Sequence, residues 1–463
     1  MDIIKKVFNI LSSNTVYYKS SAKQVLLDKK AKPIDELPKD IDFNDEFKAA
    51  FDLMENSSDS IFITGKAGTG KSTLLKYFKA NTKKKIVIVA PTGVAAVNVG
   101  GQTIHSFFKF PPSIIQKDTI RRLRNSSVIE KLDMVIIDEV SMVRSDLMDG
   151  IDYSLRINRD EMKKPFGGVQ MVLFGDLFQL CPVVEKEAKV LLDERYASPY
   201  FFSAKVFQKF TIKYVELSKI YRQSDSKFVG LLNRLRNKEH TDEDLDLLNE
   251  RVKKDATTAT SDTTIILTTT NSLASAINQE RLAKLPGKEY AYEAVITGKF
   301  DESAYPTEMS LRLKKEAQII LIKNDPDKQW VNGTLAKIIS LSKDLIKVDI
   351  NGHTCEVPRV KWQKIEYSYN KEEDKIEEDI VGVFEQYPIK LAWAITIHKS
   401  QGQTFDKVVL DLGHGAFTHG QAYVALSRCT RLEGITLKRP VIHSDIIFDG
   451  RIYEFRDKFA NLI

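Results

Sequence analysis

The stretch IFITGKAGTGKSTLLKYFKA, residues 61–80, decides the fold. It opens as a short apolar β run, passes through GKAGTGKS (Gly65 to Ser72) and continues in a helical pattern. A G-x-x-x-x-G-K-[ST] loop between a strand and a helix turns successive backbone N–H groups toward phosphate oxygens at the helix N-terminus. Gly65, Ala67, Gly68, Thr69 and Gly70 are expected to form the cradle, and Thr73 is a further candidate nucleotide-binding residue. Lys71 reaches the terminal phosphates, and Ser72 offers a hydroxyl to Mg²⁺. The expected ligands are ATP and Mg²⁺.

Outward from this loop, short β-rich runs alternate with helical stretches. KIVIVA (85–90), DMVIID (133–138) and QMVLFG (170–175) are separated by GVAAVNV and by a helix through Val143, Leu147, Ile151 and Leu155. Buried strands alternating with helices predict α/β architecture with a parallel sheet. A second strand-helix series begins at TTIILTTTN (263–271) and resumes in DKVVLDLG (406–413) and ITLKR (435–439). Between these halves, roughly 291–392, lie β-type runs with almost no helical period. Asn351-Gly352 joins two of them as a hairpin signal, which predicts a small antiparallel β barrel. The acidic KEEDKIEEDI (371–380) inside it reads as a solvated loop or strand edge. The aromatic and basic segment from about 107 to 130 interrupts the first series.

Composition bounds the rest. A chain of 463 residues exceeds the usual size of a single core, so two or three domains are expected. Hydrophobic residues at 43 % and charged residues at 29 % exclude a wholly disordered or fibrous chain. The net charge of +6 permits a polyanionic partner without requiring one. Cys181, Cys355 and Cys429 are far apart and lack C-x-x-C spacing, so neither a zinc site nor a disulfide framework is expected. Apolar runs fall far short of the ~20 residues that span a bilayer. The amphipathic opening contains Asp2, lacks arginine and has no long apolar core, which does not support organelle targeting.

DMVIIDEVSM places Asp138 and Glu139 at the end of a buried strand. After a phosphate loop this pair is the expected second half: Asp138 for Mg²⁺, Glu139 to orient and deprotonate the attacking water. VLFGDLFQLCPV ends a third strand with Asp176 and Gln179, and Gln179 is suited to hydrogen-bonding the γ-phosphate or its water.

These stretches occur in order with APTGVAAVNVGGQTIHSFF, IYRQSD, TIHKSQGQTFDKVVLDL and AYVALSRCTRL. The series resembles superfamily-1 helicases of the petite-integration-frequency (PIF) type, close to RecD-like motors, across about residues 43 to 437. The resemblance implies two RecA-like domains with ATP in the cleft between them, residues 41–220 and 221–290 plus 393–463. An SH3-like insert (291–392), a wedge insert (about 107–130) and an N-terminal extension (1–40) complete the organisation. It also implies translocation 5′ to 3′ on single-stranded DNA and unwinding of duplex or forked DNA in repair or recombination. Arg222 and Arg428 match the two arginines that such motors direct at the γ-phosphate, and without nucleotide Arg428 is expected to be solvated in an open cleft. Phe47 stands where the family has an adenine-reading glutamine, which removes one determinant of ATP selectivity, and Cys181 replaces a common proline.

For DNA contacts, Thr92 and Gly93 sit at a helix N-terminus suited to a backbone phosphate, with helix capping as the alternative use of Thr92. His105 and Phe107 are candidate base-stacking groups, with Phe108 a weaker one. Thr269 and Asn271, and His398, Lys399, Ser400 and Gln401, match further helicase DNA motifs. Other readings are a DNA-stimulated motor subunit of a recombination complex and a nucleotide-gated single-strand clamp without unwinding. A monomer, in the cytoplasm beside the nucleoid if bacterial, is expected.

Overall fold

The computed structural model describes residues 43–111, 113–123, 126–184, 186–221, 225–253, 264–327, 329–413 and 415–460. The predicted N-terminal extension 1–40 and Arg222 lie outside them.

The first unit begins with α1 (Asp45–Asn56), whose first turn is capped by the Asn44 side chain accepting from Phe47 N. Its sheet comprises β1 (Ile61–Gly65), β2 (Ile86–Ala90), β3 (Gln102–Thr103), β4 (Met134–Ile137), β5 (Gln170–Phe174) and β6 (Lys213–Leu217). The strands run parallel in the order β3-β2-β4-β5-β1-β6. Both faces are covered by helices, which is why β1, β4 and β5 are mostly apolar, and they are buried at every position. The helices that matter for the site are α2 (Lys71–Asn81), α3 (Gly93–Asn98), α4 (Ile104–Phe108) and α5 (Ser145–Asn158).

The second unit starts with α6 (Ser226–Asn237) and continues through β7 (Ile265–Thr268) and α7 (Asn271–Lys284). After a long excursion it returns with β18 (Ala394–Thr396), β19 (Val408–Asp411), α8 (Gln421–Leu426) and β20 (Ile435–Leu437). The order β18-β7-β19-β20 is again parallel, so the two predicted parallel α/β units are present.

The excursion is antiparallel, as the hairpin signal requires. Asn351 and Gly352, at φ 52° and 87°, turn β13 (Ile346–Ile350) into β14 (His353–Val357). The strands form a five-stranded sheet, a two-stranded sheet and a three-stranded sheet. The third sheet is built on a long hairpin of β15 (Val360–Asn370) and β16 (Lys375–Gln386). Residues 371–375, at the turn of this hairpin, are exposed, as expected of a solvated loop, while its strands lie along the first unit. Lys79 pairs with Glu378 at 2.8 Å and Lys85 with Asp374 at 2.8 Å. The Tyr367 hydroxyl accepts from Ile88 N at 3.0 Å.

A correction concerns the C-terminus, which the sequence assigns to the second unit. Helix α9 (Arg451–Ala460) docks instead on the first, with Ile452, Phe455 and Phe459 buried among Phe62, Phe201, Phe207 and Tyr214. The chain therefore straps the two units together.

The 107–130 segment is also less of a projection than its composition suggests. Phe107, Phe108, Phe110, Ile115 and Ile120 are core, and Asp146 and Asn158 of α5 hold the backbone at Ile115 N and Leu123 N, both at 2.8 Å. Its basic residues Lys117, Arg121 and Arg122 face outward.

Candidate functional site: a nucleotide cleft and a DNA face

The phosphate loop lies at the junction of β1 and α2. Gly65 has φ 155°, and a Cβ there would lie 2.6 Å from Thr69 Oγ1 and 2.7 Å from Leu217 O. Gly70 has φ 84°, and a Cβ would meet the Phe47 ring at 2.8 Å. Both glycines are thus demanded by backbone conformation and by close approach. Phe47 is buried beneath the loop, so the position where the family places glutamine is a packing position here. Thr69 closes the loop on itself, its hydroxyl donating to Lys66 O at 3.0 Å.

Lys71 Nζ donates to Gly65 O at 2.6 Å and Lys66 O at 3.2 Å. Burial pushes its pKa down, while Asp176, Glu139 and Asp138 oppose that shift. Asp138 and Glu139 follow β4. Burial raises both carboxyls above the ordinary range, and for Glu139 the neighbouring Asp138 adds to the effect. Glu139 adopts φ 51°, a conformation a non-glycine residue takes at a cost of about 1–3 kcal/mol. The buried Asp138, the half-buried Glu139 and the exposed Ser72 hydroxyl at the start of α2 supply oxygen donors of the kind a hard cation takes. That set fits a hard cation held jointly with phosphates.

The second unit completes the cleft. Gln401 Nε2 lies 3.1 Å from Glu139 Oε2 and 3.1 Å from Gln179 Oε1. Gln179 Nε2 in turn donates to Asp176 Oδ2 at 3.0 Å. Gly420, just before α8, packs on the backbone carbonyls of Phe178 and Gln179, and a Cβ there would sit 2.5 Å from Gln179 O.

Arg428 overturns the expectation of a solvated group in an open cleft: it is 1 % exposed. Its Nε donates to Val424 O at 2.8 Å, its Nη2 to Ser427 Oγ at 2.8 Å, and its Nη1 to Ser400 O and Gln403 O at 3.4 Å. A cage of carbonyls of its own unit answers the charge, and the Arg428 field reaches Glu139 and favours its ionised form.

The DNA-motif residues divide. Thr92 is exposed but caps α3, accepting from Ala95 N at 3.2 Å. Gly93 lies against Ala304 of the insert, whose Cα a Cβ would approach to 2.7 Å. His105 is half-buried on α4, and burial pushes its pKa down. Phe107 is a correction: it packs edge-on against Phe108 and Tyr367, so its ring is core and not a stacking platform in this arrangement, and Phe108 is equally buried. Asn271 is exposed and Thr269 half-buried where β7 meets α7. His398 is half-buried and Lys399 exposed, whereas the Ser400 hydroxyl is buried and donates to Ile397 O at 2.7 Å. Its hydroxyl is therefore occupied, a second correction to the DNA set.

Sequence reasoning missed Lys390, a half-buried lysine whose pKa is pushed down to about 8 by desolvation and by neighbouring Lys399. It sits in IKL, residues 389–391, a short strand with no motif. The two lysines concentrate positive charge beside the His398 motif.

Two α/β units closing on a phosphate loop, two acidic residues and a glutamine bridge define a nucleotide-driven motor of the helicase class. The family model described as PIF1-like helicase matches residues 42–245. The chain is 32 % identical over 91 % of its length to the ATP-dependent DNA helicase Pif1 of Bdellovibrio bacteriovorus, and covers 93 % of that protein. It is also 32 % identical to the ATP-dependent DNA helicase PIF1 of Xenopus laevis, with 87 % of this chain spanning 62 % of that relative. The crystal structure of Bacteroides sp Pif1 in complex with ADP-AlF4 aligns with a TM-score of 0.85 at 37 % identity, covering 91 % of this chain and 98 % of that one. The Bacteroides protein bound to ssDNA aligns over the same shares at 37 % identity with a TM-score of 0.65. The chain belongs to the PIF1-like helicase family.

Proposed function

We propose that this chain is an ATP-dependent DNA helicase that moves 5′ to 3′ along single-stranded DNA and separates duplex or forked DNA in repair, recombination or genome maintenance. The observation that carries the reading is the Gln401 bridge, because it joins the acidic residue placed to activate water to a side chain of the opposing unit. Hydrolysis and domain closure then depend on the same contacts.

ATP binds with its phosphates on the loop, where Lys71 exchanges the Gly65 and Lys66 carbonyls for phosphate oxygens. Ser72 and Asp138 would hold Mg²⁺, which would neutralise charge on those phosphates. Glu139 accepts the proton of the attacking water, and Gln179 and Gln401 fix where that water sits. Arg428 and, from the family pattern, Arg222 stabilise the charge that develops on the transferred group. Loss of the γ-phosphate loosens the closure, and the two units step along the strand. Thr92, Gly93, His105, Thr269, Asn271, His398 and Lys399, with Lys390, supply the DNA face. A site in the cytoplasm beside the nucleoid accords with the bacterial relative, and no helix among the described residues is long and apolar enough to cross a membrane.

ATP turnover measured with and without single-stranded DNA tests this reading. Stimulation by DNA, abolished in Lys71→Ala, is expected; turnover that ignores DNA contradicts it.

A further inference from the structure

Arg236 has no part in the chemistry above, yet its placement is costly. It lies on α6 in LNRLRN, is 6 % exposed, and crosses from the second unit to Asp176 of the first, Nη2 to Oδ1 at 3.1 Å. The guanidinium also lies 3.7 Å from the Phe178 ring centroid. Its Nε is buried with no hydrogen-bond partner among the described residues. A buried ion pair with an unpaired donor is a poor way to gain stability.

What Asp176 does with its other oxygen explains the pair. Oδ1 also accepts from Phe178 N at 3.1 Å, and Oδ2 accepts from the Gln179 amide at 3.0 Å. Arg236, Asp176, Gln179, Gln401 and Glu139 thus form one hydrogen-bonded series that crosses the cleft at Arg236–Asp176 and again at Gln401. The Gln179 carboxamide is fixed from both ends. Its nitrogen is set by a carboxylate whose orientation depends on a cation from the other unit.

We infer that Arg236 is a positioning residue for hydrolysis: by pinning Asp176 when the two units close, it fixes the Gln179 carboxamide toward the nucleotide and ties turnover to closure. The inference rests on the helicase reading. When the units separate, Asp176 loses its hydrogen bond to the Arg236 cation, keeping only the field of Lys71, and Gln179 loses its fixed orientation. Arg236 itself does not bind phosphate in this scheme.

The test uses the full chain and its variants Arg236→Met, Arg236→Lys, Asp176→Asn and the Met/Asn double variant. The readouts are kcat and KM for DNA-stimulated ATP turnover, affinity for a non-hydrolysable ATP analogue, and thermal melting. Arg236→Met is expected to lower kcat about tenfold or more with KM and analogue affinity within about threefold. Arg236→Lys should restore at least about a third of kcat, and the double variant should be no slower than the slower single one. A rise in KM matched by lost analogue affinity would make Arg236 a phosphate ligand and overturn the inference. Unchanged kcat, or additive losses in the double variant, would overturn it as well. Should Arg236→Met not melt cooperatively, Asp176→Asn, which keeps the shape and one acceptor oxygen but removes the charge, carries the same kcat-against-KM comparison. Failure of the helicase reading looks different, because the unmodified chain would then show no DNA-stimulated turnover.

Discussion

Gln401 of the second unit hydrogen-bonds Glu139 of the first at 3.1 Å, and the same amide nitrogen reaches Gln179 at 3.1 Å. One side chain therefore spans the cleft to both groups that the proposed mechanism sets around the attacking water. A motor needs a contact of this kind, because a hydrolytic site complete within one unit could cycle without moving anything.

Gln401→Ala should lower DNA-stimulated kcat by roughly tenfold or more, since a mispositioned water loses much of what a general base supplies. Affinity for a non-hydrolysable ATP analogue should stay within about threefold. Steady-state kinetics beside equilibrium titration of the analogue checks both.

Arg428→Ala should reduce stability as well as hydrolysis. Removing the guanidinium takes the donor from Gln403 O, at a cost of about 1–3 kcal/mol, and leaves Val424 O with the Ser427 hydroxyl alone and Ser400 O with Gln403 N alone. Chemical denaturation should show a lower midpoint than for Glu139→Gln, a variant expected to abolish turnover while melting near the unmodified chain.

Lys390 gives a pH signature whose sign follows from its depressed pKa. Its folded value of about 8 lies below the ordinary 10.5, so the penalty for burying its ammonium is fully present below pH 8. That penalty is relieved as pH rises from about 8 toward 10.5. Lys390→Met should therefore melt higher at pH 7, with the advantage shrinking across that window. Single-strand affinity of the unmodified chain should fall over the same range as the lysine loses its charge, read by fluorescence anisotropy at fixed salt.

Phe455 tests the C-terminal strap. Its ring lies 4.8 Å from Phe202 and 5.6 Å from Phe201, deep in the first unit's core. Phe455→Ala should cost about 3–5 kcal/mol, measured by denaturant titration, a loss typical of core aromatics. An independent second-unit tail would show almost none.

Much of this was legible because its logic is local. The loop from Gly65 to Ser72 and the Asp138-Glu139 pair declare themselves through spacing next to apolar strands, and Asn351-Gly352 declares its turn. What the sequence hid depends on distant packing. Phe107 reads as an aromatic available to bases until Phe108 and the remote Tyr367 enclose it. Helix α9 carries an amphipathic pattern that says it packs but not on which unit. Glu378 looks solvated until Lys79, nearly 300 positions earlier, meets it. Arg236 sits in an ordinary helical repeat, and Arg428 reads as waiting in solvent although carbonyls enclose it.

Strand separation on duplexes carrying a 5′ or a 3′ single-stranded tail, in the presence of ATP and Mg²⁺, tests the central claim most directly. Unwinding of the 5′-tailed duplex alone, lost in Lys71→Ala, is the predicted result. Unwinding from the 3′ tail alone, or DNA-stimulated hydrolysis with no strand separation from either tail, would contradict it.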